Sequence, residues 1–267
     1  MSDDPAARKA QTKAVFNTIS PYYDSGPVGC FVHFGRRLVE VAAVKVGARV
    51  LDIASGRGAV LFPAAERVGA GGEVVGIDLA DAMALATSEE AASRGLKARV
   101  SVMDAEELTF QDASFDFVTC GFGIMFFPDQ DRGLAQMRRV LKPGGRLAIS
   151  TWQVAQTDEL RPVLKELGLP STRAPGWITE PGALEALITR NGFTGVSVTV
   201  DSMDFRYADA EEFWQQARGT IVRRQLDPLD PQQKKHALSL LTERMKPHQR
   251  ADGYYLRASA LFAVANI

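Results

Sequence analysis

The stretch Val50-Leu51-Asp52-Ile53-Ala54-Ser55-Gly56-Arg57-Gly58 decides the fold class. Residues 49–54 form a short apolar, partly β-branched run that reads as a buried strand, and the small residues after it read as a turn opening a helix over 58–68. Ala54, Gly56 and Gly58 let a ligand approach the backbone closely. The helix that follows has unpaired N–H groups at its start. A strand, a small-residue turn and a helix in that order suit the polar part of a nucleotide-like cofactor, held at the carboxyl end of the first strand of an α/β sheet.

Working outward from the loop, strands and helices alternate. Strands are expected at 73–79, 99–103, 115–122 and 146–152, with helices at 81–94 and 131–141. Lys142-Pro143-Gly144-Gly145 stops the second of these helices. That alternation predicts a parallel sheet covered on both faces. Further on, a helix is expected at 181–190, a strand at 195–200, helical stretches at 209–224 and 231–246, and a final strand at 254–264. Upstream, Phe31, Phe34, Leu38, Val41 and Val44 keep helical spacing over 31–45, with Gly47 as the expected stop. The expected organisation is an N-terminal arm (1–30) broken at Ser25-Gly26-Pro27, a core (31–200), a helical cap (201–253) and a closing strand (254–267).

Composition narrows the partners. The chain has 267 residues, 46% hydrophobic and 24% charged, with a formal net charge of −1. That suits a globular protein with a sizeable core and supplies no excess positive charge for nucleic acid. Cys30 and Cys120 make no zinc-like cluster and fit a reducing cytoplasm. The acidic start lacks the order of a secretory signal, and no apolar run is long enough to span a membrane. The expectation is a cytoplasmic protein with a small-molecule substrate, no nucleic acid, no membrane partner and no metal; a homodimer is compatible with it.

Two cofactor readings compete for the loop. Ala54-x-Gly56-x-x-Ala59 can be placed on the dinucleotide fingerprint, but Asp52 would then stand near a pyrophosphate of like charge. The same carboxylate suits the ammonium and sulfonium of S-adenosyl-L-methionine. Val74-Val75-Gly76-Ile77-Asp78 is a strand ending in an acid about 20 residues after the loop, where ribose hydroxyls are read in Rossmann-type sites. Asp104 ends the third strand and is placed for the adenine amino group, with the Ala105 N–H nearby. Met83 is a candidate cover for the adenine face, with a buried helix position as the plain alternative. Asp78 capping the helix from 81 is the bland reading of that acid, for which Asp81 is better placed.

These residues, with Met103-Asp104-Ala105-Glu106, Ser114-Phe115-Asp116, Gly121-Phe122-Gly123 and Arg139-Val140-Leu141-Lys142-Pro143-Gly144-Gly145, resemble class I methyltransferases of the ubiquinone/menaquinone-biosynthesis type in order and spacing over 48–152. Upstream, Phe16-x-x-Ile19-x-x-Tyr22-Tyr23-Asp24 resembles a segment that closes over the cofactor. The resemblance implies a Rossmann-like, seven-stranded α/β sheet whose last strand is antiparallel. It implies that Asp52, Gly56 and Gly58 hold the methionine end, Asp78 the ribose, and Asp104 with Ala105 the adenine. Cys120, Gly121 and Phe122 would then sit by the reactive methyl. Tyr23, Ala54 and Leu79 complete the expected cofactor set. Ala54 and Ser55 depart from the family's common glycine and cysteine, and Gln136 from a common glutamate, which touches the substrate more than the cofactor.

Methyl transfer from a sulfonium is an in-line displacement in which a base is optional. His33 and Tyr22 are the candidate catalytic residues; packing is the plain reading of each. Phe16, Ile19, Phe127, Trp152 and Trp214 are the expected walls of an apolar or aromatic acceptor pocket. A cyclisation or rearrangement that keeps the cofactor is the alternative reaction. A nicotinamide oxidoreductase is disfavoured by the lack of a Tyr-x-x-x-Lys pair, and a cofactor-binding subunit without turnover remains a separate class. Arg138-Arg139 at a helix end suits the helix dipole rather than a phosphate.

Overall fold

The computed structural model describes residues 4–24, 29–170 and 176–267. The expected break at Ser25-Gly26-Pro27 lies outside them. The strands are β1 (Arg49–Ile53), β2 (Glu73–Asp78), β3 (Ala98–Val102), β4 (Phe115–Gly121), β5 (Leu141–Val154), β6 (Thr194–Tyr207), β7 (Gln249–Arg250) and β8 (Gly253–Asn266). They form one sheet in the order β3-β2-β1-β4-β5-β8-β6, with the two-residue β7 pairing β8. Neighbours from β3 to β5 pair in parallel. β8 is antiparallel to both β5 and β6, as expected of the last strand. The chain builds outward from β1 to β3, then returns to β4 on the other side of β1. That reversal opens a crevice at the carboxyl ends of β1 and β4.

Helices α1 (Pro5–Ile19), α2 (Cys30–Ala42), α3 (Leu61–Val68), α4 (Asp81–Ser93), α5 (Gln130–Val140), α6 (Leu160–Glu166) and α7 (Pro181–Arg190) surround the sheet, and α8 (Ala210–Arg218), α9 (Arg223–Leu226) and α10 (Pro231–Met245) lie between β6 and β8. Successive strand residues face opposite sides. Val50 joins a core with Phe34 and Leu38 of α2 and Leu61 of α3, whereas Leu51 joins one with Leu134 of α5 and Leu184 of α7. Helices therefore cover both faces of the sheet. Among the described residues, no helix is long and apolar enough to cross a membrane, and no group of three or more His, Cys, Asp or Glu side chains is arranged to hold a metal ion.

Several expected boundaries move. α2 ends at Ala42, not at Gly47, because Ala43 takes the left-handed cap at φ 53° and donates to the Glu40 carbonyl. Gly47 instead donates to Val68 O and leads into β1. α3 starts at Leu61 because the turn persists through Gly58 at φ 83°. β6 runs seven residues beyond the expected end at 200, to Tyr207. The expected helix 209–224 is divided at Gly219 into α8 and α9. Lys142–Gly145 is a bulge within β5, where the register on β4 shifts between Phe115 and Phe117. Asp81 does not cap α4: it pairs with Lys13 at 2.8 Å, and Asn17 Oδ1 of α1 accepts from the Ala82 N–H at 2.9 Å.

Candidate functional site

The loop after β1 is held from beneath and from the side. Asp52 sits in the centre of the sheet, opposite Gly76 of β2 and Thr119 of β4. The Thr119 hydroxyl donates to Asp52 Oδ1 at 2.8 Å, and Asp52 Oδ2 has no hydrogen-bond partner. Asp78 ties the loop to the end of β2. Its Oδ2 accepts from the Gly56 N–H and its Oδ1 from the Ala80 N–H, each at 2.9 Å. Thr87 of α4 donates to Gly56 O at 2.6 Å. Ala54 and Phe122 both have left-handed backbone, at φ 56° and 55°, a conformation that disfavours side chains and clusters at functional sites.

Above the loop lies a cleft over the carboxyl ends of the central strands. Of the expected cofactor residues it brings together Tyr23, Ala54, Gly56, Asp78, Leu79, Asp104, Ala105, Gly121 and Phe122. Four others lie behind it. Asp52 is under the loop; Cys120 is fully buried on β4; Gly58 packs against the Phe62 ring; Met83 is buried with Ile19 and Ala80. Met83 thus takes its plain packing reading. The cleft also holds residues outside the expected cofactor set, among them Lys9, Glu106, Gly123 and Phe126. Lys9 of α1 reaches across to Asp104 Oδ2 at 2.7 Å and Glu106 Oε2 at 2.6 Å. Burial works against its charge, but these two carboxylates outweigh that and raise its pKa. Asp104 Oδ1 meanwhile accepts from the Glu106 N–H at 2.9 Å.

A second, aromatic chamber adjoins the cleft and shares Phe16, Tyr23, Phe122 and Phe126 with it. Phe122 stacks on Trp152 at 4.1 Å between ring centres, and Tyr23 stacks on Phe31 at 4.8 Å. Phe31 meets Phe122 and Trp152 edge-on at 5.6 and 5.7 Å. Of the five expected pocket walls, Phe16 and Trp152 line this chamber, whereas Phe127 lines the cleft and Ile19 is buried behind it. Trp214 does not line the chamber. The face of α8 turned to it carries Phe213, Gln216 and Ala217, with Thr220 following in the next turn, a spacing that leaves Trp214 in the core beside the helix.

Both candidate catalytic residues lie elsewhere. His33 sits about 200° around α2 from Phe31 and packs against Phe34 and Phe205 at 5.0 and 6.0 Å. Tyr22 is 51% exposed, with the Arg223 guanidinium 4.3 Å over its ring. Asp129 caps α5 and Asp131 pairs with Arg190. Arg139 is bound to the carbonyls of Leu108 and Phe110, which fits a structural role.

The electrostatics divide the two spaces. Burial pushes the Asp52 carboxyl up to about 7, the Thr119 hydroxyl offsets part of this, and the nearby Asp78 adds to it. Burial raises Asp78 as well, against N–H groups of Ala80, Gly56 and Leu79. In the chamber, burial raises Tyr23, Cys30 and Tyr207, so all three stay neutral. The cleft is thus rich in carboxylates, and no described residue lining the chamber is an Asp, Glu, Lys or Arg.

Comparison with known proteins agrees with this geometry. The sequence profile of the ubiE/COQ5 methyltransferase family matches residues 5–161. Nocamycin O-methyltransferase of Saccharothrix syringae is 44% identical over 137 residues, 51% of this chain and 49% of that one. Aklanonic acid methyltransferase of Streptomyces sp. (strain C5) is 44% identical over 144 residues, 54% of this chain and 66% of that one. The chain thus spans about half to two thirds of the length of these curated relatives. The crystal structure of the YcgJ protein from Bacillus subtilis superimposes with a TM-score of 0.60 at 21% identity, covering 88% of this chain and 98% of that one; this is a likeness of fold.

Proposed function

This chain belongs to the ubiE/COQ5 methyltransferase family, and we propose that it transfers a methyl group from S-adenosyl-L-methionine to a small, apolar or aromatic organic acceptor of the phenol, quinol or polyketide kind. The observation that carries this reading is the adjacency of the two spaces: a carboxylate-lined cleft at the sheet's reversal point and an aromatic chamber share the rings of Phe16, Tyr23, Phe122 and Phe126. The natural-product methyltransferases among its relatives support the acceptor class.

The residues fit the cofactor. Asp52 keeps an unpartnered buried oxygen and a pKa of about 7, so a cationic ligand above it is favourable. Asp78 would take the ribose hydroxyls and Asp104 with the Ala105 N–H the adenine edge. Leu79 and Phe127 would flank the adenine, while Ala54, Gly56 and Gly121 would admit the methionine end. When bound, S-adenosylmethionine supplies a methyl group activated by a sulfonium. The chain's own work is to align the acceptor, and Tyr23 and Phe122 keep water from the reacting face. Alignment alone is worth up to about 7–11 kcal/mol in favourable cases. The neutral Tyr23, Cys30 and Tyr207 offer no base, so an acceptor that ionises readily reacts best. The protein acts in the cytoplasm; a homodimer is tested by light scattering.

Calorimetry with S-adenosylmethionine and S-adenosylhomocysteine tests the cofactor. Micromolar binding is expected, weakened about 10- to 100-fold in Asp78→Asn, since a charged hydrogen bond is worth about 1.5–3 kcal/mol. Absence of binding to the folded chain sinks the reading. Equimolar S-adenosylhomocysteine and methylated product separate methyl transfer from a cyclisation or rearrangement.

A further inference from the structure

We propose that the Tyr207 hydroxyl and the Gln156 side-chain amide are the polar anchors of the aromatic chamber, and that they select a planar acceptor bearing a carbonyl oxygen. The inference rests on reading that chamber as the acceptor site. Both residues line it, one from the end of β6 and the other from the turn after β5. Tyr207 Oη and Gln156 Nε2 are buried and have no hydrogen-bond partner. The Phe213 ring stands edge-on to Tyr207 at 5.1 Å, and the Tyr207 side chain is buried. The Gln156 turn is fixed on its other side by Asp158, whose Oδ2 accepts from the Ala155 N–H at 3.3 Å.

Buried polar atoms are almost always hydrogen-bonded, because leaving one unpaired is costly. Two such atoms on residues that line one chamber indicate that a ligand supplies the missing partners. The amide nitrogen can only donate, and a phenol held neutral by burial donates as well. Two donors require acceptor oxygens. The ring walls of Phe31, Phe122 and Trp152 favour a flat aromatic body beside those oxygens. A phosphate or an ammonium group would find no opposite charge among the described lining residues. The flat faces of the stacked Phe122 and Trp152 rings suit a planar ring system laid beside them.

The test compares 1-hydroxyanthraquinone with 1-anthrol, which has the same skeleton without the carbonyls. Binding is followed by tryptophan quenching in the full chain saturated with S-adenosylhomocysteine. Wild-type protein is expected to prefer the quinone by about tenfold or more, since pairing a buried donor is worth at least one hydrogen bond. Tyr207→Phe and Gln156→Leu should each cut that preference several-fold, and the double variant should abolish it. 1-Anthrol and S-adenosylhomocysteine binding should stay unchanged, and the thermal midpoint of Tyr207→Phe should be equal or higher. A wild type without preference, or a double variant that keeps it, overturns the proposal and assigns the two atoms to a buried water. Failure of methyl transfer with the preference intact would instead count against the proposed reaction alone.

Discussion

Asp52 is a carboxyl that burial keeps protonated up to about pH 7, against an ordinary value of 3.8. Between those values the folded chain holds a proton that the unfolded chain has lost. The ligand-free fold therefore loses stability as pH rises from about 4 to about 7, by up to about 1.4 kcal/mol per pH unit. Asp24, raised to about 6 chiefly by burial, adds to this over the lower part of the range. A cationic cofactor acts in the opposite direction, because it favours the ionised form. Its affinity should climb with pH and level off above 7. Calorimetry at pH 6 and 8 checks this, and Asp52→Asn should flatten the dependence. Ala54 also explains a neighbour: a side chain at Gly123 would place its Cβ 2.5 Å from the Ala54 Cβ. An alanine in the loop thus requires a glycine opposite. Asp78, Asp104 and the loop are legible in the sequence because they end strands at regular spacing. Tyr207 and Gln156 are not, since nothing local marks a polar atom that is left unpaired.

The arm helix α1 docks through polar atoms. It buries only Ile19, and fastens to the body through Lys9 on Asp104 and Glu106, Lys13 on Asp81, and Asn17 on the Ala82 N–H. A helix held this way has no apolar stripe to reveal its docked face, which is why the arm's contacts are not readable from periodicity. Strands β1 to β5 are readable because a parallel sheet buried on both faces leaves continuous apolar runs. The turn at Gln156–Glu159 with α6 is too short for a period to emerge. The arm's ion pairs cross the mouth of the cleft, so Lys9→Ala should speed both association and release of S-adenosylhomocysteine by about two- to fivefold, as expected for loss of a partly exposed pair. Raising the salt concentration should do the same in wild type. Stopped-flow mixing measures both rates; rates that do not move would show that the arm opens by another route.

At the scale of the whole molecule, the strand order is what brings the two spaces together. β1 and β4 bring the loop and Phe122 to one edge, β5 extends beside them to carry Trp152 and Gln156, and the cap inserted before β8 closes the far side with Phe213. The sequence marks 201–253 as a helical cap, and α8, α9 and α10 fall within that span. It does not reveal the lining face of α8, because Phe213 and Trp214 are equally apolar and only packing separates them. Phe16, Tyr23, Phe122 and Phe126 belong to both spaces, so a ligand that orders these rings in one space has already done so for the other. Thermodynamic reciprocity then applies: the factor by which bound S-adenosylhomocysteine tightens 1-hydroxyanthraquinone must equal the factor for the reverse. Two titrations measure it, and Phe122→Ala should bring both factors toward one together. If both factors exceed one, neither affinity is a property of its own space, and a binding constant taken in the chamber without the nucleoside describes a different protein surface.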